Sequence, residues 1–281
     1  MVEFKVANEE SSLLPDERNW KLTFFDEFNC DKLDKSKWSF RHYLFHKKNE
    51  GWVDEEGLDF KDGCIIFKLL EKDGKKYSCQ LQTGENWYDR PLEGNPNWTI
   101  AKFSEPKFEQ KYGYYEVRCK LQKGDDWWSA FWLQSPNIGT HRDYKKAGVE
   151  VDILEAFVGG GVIPNYLHWG GYGPDHEYET NNKEHRYAKL GDVQMLSEGF
   201  HRFGCLWDKD GYTFYIDGEQ VGEKLCKAVS DTEQFVLIGT EPIGYRTAIP
   251  GISSEIGADN LRRVKDDCFI VDYVRVFSFE D

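Results

Sequence analysis

Hydrophobic and polar positions alternate in short runs along most of this chain, which predicts β-strands. Residues 112–121 (YGYYEVRCKL) alternate in this way, and a β-branched and aromatic run at residues 268–279 closes the chain. A period of two places one set of side chains on a core and the other on the opposite face. Residues 64–70 (CIIFKLL) are almost continuously apolar and indicate a buried strand after a turn.

The turns between these runs predict a single all-β domain. Residues 207–221 predict a hairpin, because Asp217-Gly218 is typical of a tight turn between two strands. Helical periodicity is scarce, and a turn or two over residues 31–37 is the best helical candidate. Many short strands in 281 residues, without repeats or linkers, predict a sandwich or a barrel. We assign the domain to residues 21–281 and expect residues 1–20 to be an N-terminal extension packed on it or flanking it.

Composition and charge narrow the class of partner. The net charge of −14 comes without a basic stripe, which argues against nucleic acid and against an anionic membrane surface. A polyanion would also be repelled, so a neutral glycan is favoured over a charged one. The chain has 10 Trp residues, whose flat faces suit sugar rings. The expected partner is therefore a polysaccharide. We also expect the chain to be a monomer.

Localisation and cysteine chemistry are less constrained by the sequence. No segment approaches the roughly 18 apolar residues that cross a bilayer, and the first residues lack the features of a signal peptide. We expect a secreted or cell-surface protein whose signal peptide is not in this sequence, with a cytoplasmic protein as the alternative. The seven cysteines are scattered and include no C-x-x-C pair. Cys119 and Cys268 lie in strand-like runs, which favours buried free thiols there, and one or two disulfides stay open.

Candidate chemistry is concentrated in residues 149–157 (VEVDILEAF). On a strand, Glu150 and Asp152 share a face, whereas strict alternation would send Glu155 to the other face. A β-bulge at Ile153-Leu154 would return Glu155 to the face of the first two acids. The apolar flanks predict a central strand. The sequence therefore predicts three carboxylates on one face.

Such a group suits a glycosidase. Neighbouring carboxylates raise one another's pKa values, and a glycosidase needs one protonated acid beside one ionised nucleophile. The alternative is a solvated acidic strand face. Glu150 and Glu155 would lie about 13 Å apart at Cα, whereas a retaining pair of carboxyls lies about 5–5.5 Å apart. The mechanism therefore requires a concave sheet on which the two side chains converge.

Seven segments of the chain form a recognisable series. They are FDEF with LD and W (residues 25–38), YGYYEVRCKLQKG (112–124), WSAFWL (128–133), VEVDILE (149–155), NYLHWG (165–170), FYIDGEQV (214–221) and VDYVRV (271–276). Taken together, these segments resemble glycoside hydrolase family 16 in its bulged E-x-D-x-x-E form. The resemblance extends from residue 24 to residue 279, with Ser129 where the family usually has Pro.

The resemblance implies a concanavalin A-like jelly-roll β-sandwich with a concave substrate cleft. It also implies a retaining endo-hydrolase in which Glu150 is the nucleophile, Asp152 assists it and Glu155 is the acid/base, with no cofactor for catalysis. Without the resemblance, the sequence does not show which of Glu150 and Glu155 is the nucleophile and which is the acid/base. Many family members hold a structural calcium ion, and Asp272 with the backbone of Gly63 matches that site loosely. A bare turn carboxylate is the alternative.

Substrate-binding candidates come from the same segments. Trp128 and Trp132 lie four apart and so share a strand face, where they could stack on sugars. His168 and Trp169 are neighbours, so a regular strand turns them to opposite faces, and the resemblance favours His168 for the cleft. For each of these residues the alternative is a structural role in the core. The remaining candidates are Asn165 and the loop residues Trp87 and Trp98.

Three functions are compatible with these residues and motifs. The leading hypothesis is an endo-hydrolase of β-1,3- or mixed-linked β-1,3/1,4-glucan. A galactan-cleaving enzyme of the agarase or porphyranase kind is the first alternative, because loops decide the substrate. A non-catalytic lectin-like module is the second, since sandwich folds host both activities.

Overall fold

The computed structural model describes residues 1–15, 18–41, 43–44, 47–48, 52–86, 105–124, 127–157, 161–163, 165–171, 173–181, 196–242 and 263–280. Strands dominate these residues. In chain order they are β1 (Val2–Phe4), β2 (Ser12–Leu14), β3 (Asn19–Asp26), β4 (Ser39–Phe40), β5 (Tyr43–Leu44), β6 (Lys47–Lys48), β7 (Leu58–Lys61), β8 (Cys64–Lys68), β9 (Leu70–Lys72), β10 (Lys75–Tyr77), β11 (Gln80–Gln82), β12 (Gly113–Lys120), β13 (Trp127–Gln134), β14 (Glu150–Phe157), β15 (Gly161–Ile163), β16 (Tyr166–Trp169), β17 (Glu177–Thr180), β18 (His201–Asp208), β19 (Gly211–Ile216), β20 (Glu219–Leu225), β21 (Phe235–Pro242) and β22 (Cys268–Glu280).

Two large antiparallel sheets form the sandwich. In the first, which we call the site sheet, the strand order is β17-β16-β14-β13-β21-β11-β4, with β15 also paired to β14. In the second, the back sheet, the order is β20-β19-β18-β12-β22-β8-β7, with β3 also paired to β22. Strands distant in sequence are thus neighbours in each sheet, as in a jelly roll. The predicted all-β jelly-roll fold is confirmed.

The main hydrophobic core lies between the two sheets. Each sheet contributes alternate residues to it: Phe131 and Leu133 come from the site sheet, and Tyr115 and Val117 from the back sheet. All four side chains are fully buried. Because a strand alternates its side chains, the residues between these face outward. On the site sheet, that outward face is where the chemistry lies.

The strand predictions agree with the structure. Residues 64–70, 112–121 and 268–279 correspond to β8 with the start of β9, to β12 and to β22. Asp217 and Gly218 join β19 to β20 with φ values of 48° and 84°, the two positive angles that a type I′ turn requires.

Of the turn or two of helix expected at residues 31–37, the structure has one turn and no regular helix. Those residues hold one hydrogen-bonded turn, in which Trp38 donates its backbone N–H to Asp34. The described helices are a 3₁₀ helix at Glu55–Gly57 and one α-helix, α1, at Tyr144–Ala147. Asp143 caps α1 by accepting the backbone N–H of Lys145. None of the helices in the described ranges is long and apolar enough to span a membrane.

Gly148 ends α1 and leads directly into β14. Its φ is 84°, and a Cβ there would lie 2.3 Å from the Cβ of Ser135. Only glycine fits such a conformation at such a close approach. Gly148 therefore fixes the entry of the strand on which Glu150 lies two residues later.

The N-terminal residues pack on the outer face of the back sheet. β1 pairs with β2, and Leu14 is buried in a second cluster with Trp20, Tyr114 and Phe277. The backbone N–H of Leu13 donates to Glu116 at 3.1 Å. β3 begins at Asn19 and pairs with β22, so the predicted boundary after residue 20 falls within a strand. That boundary stays a prediction.

All seven cysteines lie in the described ranges, and all are free thiols. Burial raises the pKa of the Cys64 thiol to about 11. Cys119 is buried, as predicted, whereas Cys268 is only half-buried. The remaining thiols are buried at Cys64, Cys79 and Cys205 and exposed at Cys30 and Cys226.

Candidate active site

A β-bulge in β14 places the three acids of the motif on one face. Opposite β13, the register passes from Phe131 with Leu154 to Trp132 with Asp152, so Ile153 has no partner of its own. Ile153 and Leu154 both enter the main core. The extra residue restores the phase, and Glu155 lies opposite Ala130 on the outward face of the site sheet. The predicted bulge at Ile153-Leu154 is therefore present.

Glu150 is held by an amide pair. The Nε2 of Gln134 donates to the Oε2 of Glu150 at 2.6 Å. Asn86 in turn donates its side-chain N–H to the Oε1 of Gln134. This contact orients the amide of Gln134, because its oxygen must face Asn86 and its nitrogen must face the carboxylate. Both amides are fully buried, so Glu150 has a fixed hydrogen-bond donor.

Asp152 is buried and faces His168, which is in turn paired with His176. The Nε2 of His168 lies 3.5 Å from the Oδ2 of Asp152, and its Nδ1 lies 3.0 Å from the Nε2 of His176. Burial, with the neighbouring His176, lowers the pKa of His168 to about 4. His168 is therefore neutral at pH 7 and can offer one N–H. If Nε2 carries that proton, the imidazole donates to Asp152 and accepts from His176.

The carboxylate of Glu155 accepts a hydrogen bond from the indole of Trp128. The Nε1 of Trp128 donates to the Oε1 of Glu155 at 3.1 Å. Tyr166 lies on the neighbouring strand, opposite Asp152. Burial, Tyr178 and the negative charges of Glu155 and Asp152 raise the pKa of Tyr166 to about 12. Its phenol therefore stays protonated beside the carboxylates.

The two predicted tryptophans of β13 share the outward face of the site sheet. Trp128 lies opposite Glu241 and Trp132 opposite Leu237 on β21. Both belong to an apolar cluster separate from the main core. The guanidinium of Arg41 lies 4.8 Å from the ring centre of Trp132. Both rings line the acid-bearing face, and sugar contact by either of them stays a prediction.

Two predicted substrate-binding residues do not reach the site. Trp169 is buried in the main core, because it follows His168 on the strand and alternation turns it inward. Asn165 is fully buried in a turn with φ of 76°, and its Nδ2 donates to the carbonyl of Val221 on the back sheet at 2.9 Å. Both assignments were wrong. Trp87 and Trp98 lie outside the described residues.

Several residues at the site were not predicted. Gln134 could have been found, because it continues the alternation of Trp128 and Trp132 on β13. His176 and Asn86 lie in loops, and only the folded chain brings them to the strands. Sequence spacing carries no signal for such contacts.

One of the two predicted calcium ligands is already paired with a positive charge, and calcium binding at Asp272 and Gly63 stays a prediction. The Oδ2 of Asp272 accepts from the guanidinium of Arg118 at 2.6 Å, so a positive charge already occupies the carboxylate. Gly63 lies in the β7–β8 turn with φ of 73°. Within the described residues, Glu150, Asp152 and His168 are the one group whose ligand atoms converge, within 4.8 Å of one another. Two of them, Glu150 and Asp152, are the residues assigned to catalysis, and His168 was predicted to contact the substrate.

Removing the Gln134 amide is expected to reduce turnover more than binding. Gln134→Met keeps the volume but removes the donor to Glu150, and a hydrogen bond to a charged group is worth about 1.5–3 kcal/mol. If the bond acts in the transition state, kcat falls roughly 10- to 100-fold with a small change in KM. Initial rates on the best substrate measure both constants.

The exposed Gln220 provides a matched control for this variant. Gln220→Met on β20 makes the same chemical change far from the acids and should leave both constants unchanged. A kcat of Gln134→Met within twofold of the wild-type value would contradict the orienting role.

Known proteins resemble this chain over most of its length, both in sequence and in fold. The family described as "Beta-porphyranase A-D, GH16 domain" matches residues 20–279. A glucan endo-1,3-β-glucosidase A1 from Niallia circulans is 26% identical over 70% of this chain, which spans only 28% of that protein's length. A β-agarase from Phocaeicola plebeius is 29% identical over 92% of this chain and 85% of its own length. The catalytic domain of a laminarinase from Thermotoga petrophila RKU-1 superimposes with a TM-score of 0.62 at 24% identity, covering 94% of this chain and all of that one.

Proposed function

Because this chain belongs to the β-porphyranase A–D group of glycoside hydrolase family 16 domains, we propose that it cleaves internal β-linkages of a polysaccharide with retention of configuration. The observation that carries the proposal is the bulge in β14, which brings Glu150, Asp152 and Glu155 to one face. Acidic residues that only face solvent do not need to lie on the same face of a strand. A regular strand without a bulge would therefore serve them equally well.

The first step of the proposed reaction forms a glycosyl-enzyme. Glu150 attacks the anomeric carbon while Glu155 gives its proton to the leaving oxygen. The N–H of Gln134 keeps the attacking carboxylate ionised and oriented, because hydrogen bonds to the charged form favour it. Trp128 holds the carboxyl of Glu155 in place through its indole N–H.

The second step hydrolyses that intermediate. Glu155, now a carboxylate, takes a proton from water as the water attacks the same anomeric carbon, and Glu150 leaves. Asp152 lies between the two glutamates along the strand, and His168 faces its carboxylate. We assign Asp152 the role of tuning the charge on Glu150, with the neutral imidazole of His168 facing its carboxylate at 3.5 Å.

A β-1,3- or mixed-linked β-glucan is the leading substrate. The Niallia circulans relative is named for β-1,3-glucan cleavage. The net charge of −14 also favours a neutral polymer over a sulfated one, since like charges repel at the cleft.

A galactan is the second candidate, and two observations favour it. The matching family is named for porphyranases, and the β-agarase relative aligns over 92% of this chain. Among galactans, the negative charge of the protein favours neutral agarose over sulfated polymers. A lectin-like module has less support, because such a module has no use for a phased acid/base.

The decisive experiment is a substrate panel. Release of reducing ends is measured on laminarin, barley β-glucan, agarose, porphyran and carrageenan for the wild type, Glu150→Gln and Glu71→Gln. Glu71 is an exposed glutamate on β9 and serves as the matched control. We expect wild type and Glu71→Gln to cleave one polymer class and Glu150→Gln to be inactive. Binding without cleavage of any polymer by the wild type would overturn the proposal in favour of a lectin.

A further inference from the structure

One aromatic side chain on the outward face of the site sheet is largely open to solvent. Tyr178, on the edge strand β17, is 56% exposed. The other exposed large hydrophobic side chains in the described ranges are Met1, Val2 and Phe25, which lie on the N-terminal hairpin and on β3 of the back sheet. Exposure of a single aromatic residue does not by itself indicate a binding site. The position of Tyr178 relative to the catalytic residues does indicate one.

Tyr178 lies in register with the nucleophile. It is directly opposite His168 on β16, and His168 is directly opposite Glu150 on β14. Paired residues on neighbouring strands present their side chains to the same face. With strands about 4.8 Å apart, Tyr178 lies two spacings, or about 10 Å, from Glu150 across the sheet. A sugar chain that crosses the strands at the catalytic row therefore passes over Tyr178.

Neighbouring rings hold Tyr178 in place. The ring centre of Tyr166 lies 5.7 Å from that of Tyr178, and those of His168 and His176 each lie 6.4 Å away. Tyr166 and His168 stack on each other at 4.8 Å. A ring supported in this way loses little further conformational freedom when a ligand covers it.

We propose that Tyr178 is the stacking platform of a distal sugar subsite, where its ring contacts the apolar face of one pyranose unit of the substrate. The subsite rests on the proposed function, since it assumes that a glycan occupies the catalytic row. Its ligand is an uncharged pyranose, because CH groups on a ring face pack on an aromatic surface without a charged partner. At about 10 Å from Glu150, the platform lies beyond the sugars that touch the catalytic carboxylates.

This placement makes the effect of Tyr178 dependent on substrate length. An oligosaccharide too short to reach β17 gains nothing from the ring, whereas a longer one gains one stacking contact. Aromatic contacts of this kind change affinity roughly 3- to 10-fold. The hydroxyl is not needed for stacking, so phenylalanine should replace tyrosine.

The test compares Tyr178→Ala, Tyr178→Phe and Phe25→Ala on an oligosaccharide ladder of the polymer that the wild type cleaves. Phe25→Ala removes an exposed ring of the other sheet and is the matched control. For long substrates, we expect Tyr178→Ala to raise KM roughly 3- to 10-fold, with kcat unchanged. For the shortest substrate it should equal the wild type. Tyr178→Phe and Phe25→Ala should equal the wild type throughout.

Binding measurements separate this inference from the proposed function. Calorimetric titration of long oligosaccharides into Glu150→Gln, with and without Tyr178→Ala, should show the same loss of affinity without turnover. If the wild type cleaves its polymer and Tyr178→Ala has wild-type KM for every length, the subsite is refuted and the enzyme is not. If the wild type neither cleaves nor binds any polymer of the panel, both are refuted. Thermal melting of each variant checks that folding is intact.

Discussion

Replacing Glu150 by glutamine is expected to lower kcat by roughly 10⁴- to 10⁶-fold, the range seen when a nucleophile is removed from an enzyme. The amide is nearly isosteric but cannot form the glycosyl ester. Gln134 would still have an oxygen to donate to, so the local hydrogen bond and the fold should survive. Initial rates on the cleaved polymer measure the loss, and circular dichroism and thermal melting check the structure.

The loss must be specific to this carboxylate. Glu71→Gln on β9 makes the same chemical change on an exposed glutamate and should keep full activity. If Glu150→Gln retained more than a hundredth of the wild-type kcat, another residue would have to be the nucleophile.

Replacing Glu155 by alanine is expected to lower kcat on the natural polymer by roughly 10²- to 10⁴-fold, the usual contribution of a general acid/base. The loss has two parts. A poor leaving group is no longer protonated in the first step, and water is no longer deprotonated in the second. A substrate with an activated aryl leaving group needs no acid, so its glycosyl-enzyme should still form and then accumulate.

Azide distinguishes this role from a structural one. Because azide needs no general base, it should attack the accumulated glycosyl-enzyme of Glu155→Ala and restore turnover, with a glycosyl azide of retained configuration as the product. Wild type and Glu150→Gln should show no such rescue. If azide failed to accelerate Glu155→Ala, or accelerated Glu150→Gln instead, the two roles would have to be reassigned.

The bulge was predictable because the pattern of VEVDILEAF constrains it from both sides. Glu150, Asp152 and Glu155 cannot share a face in a regular strand, and Ile153 and Leu154 are both too apolar to face outward. Only an extra residue satisfies both conditions, and the structure places both apolar side chains in the core. Alternation likewise correctly placed Trp128 and Trp132 on one face.

Predictions failed where a position depends on loop conformation. Asn165 has a left-handed backbone that turns its amide toward Val221, and no strand pattern signals such a turn. Asn86 approaches Gln134 across 48 residues of sequence. Contacts between segments so far apart follow from the complete topology and not from local spacing. For the same reason, the pairing of Asp272 with Arg118 required the register of β12 against β22.

The helical expectation at residues 31–37 is met by a single turn only. Asp34 caps that turn, because its carboxylate accepts the backbone N–H of Ser36, the same contact by which Asp143 caps α1. β4 begins at Ser39, so the backbone becomes extended before a second turn can form. The single turn that results leads to Trp38, which packs in the main core and donates its indole N–H to Asp26 at 2.8 Å.

The bulged strand is proposed to make Glu150 and Glu155 a retaining pair, and the stereochemistry of the first product tests this most directly. Proton NMR of the polymer identified by the panel, recorded in the first minutes after enzyme is added, reports the anomer before mutarotation mixes the two forms. We predict that the β-anomer appears first and the α-anomer only later, by mutarotation. Initial release of the α-anomer would mean a single displacement by water, and would contradict the assignment of Glu150 as nucleophile.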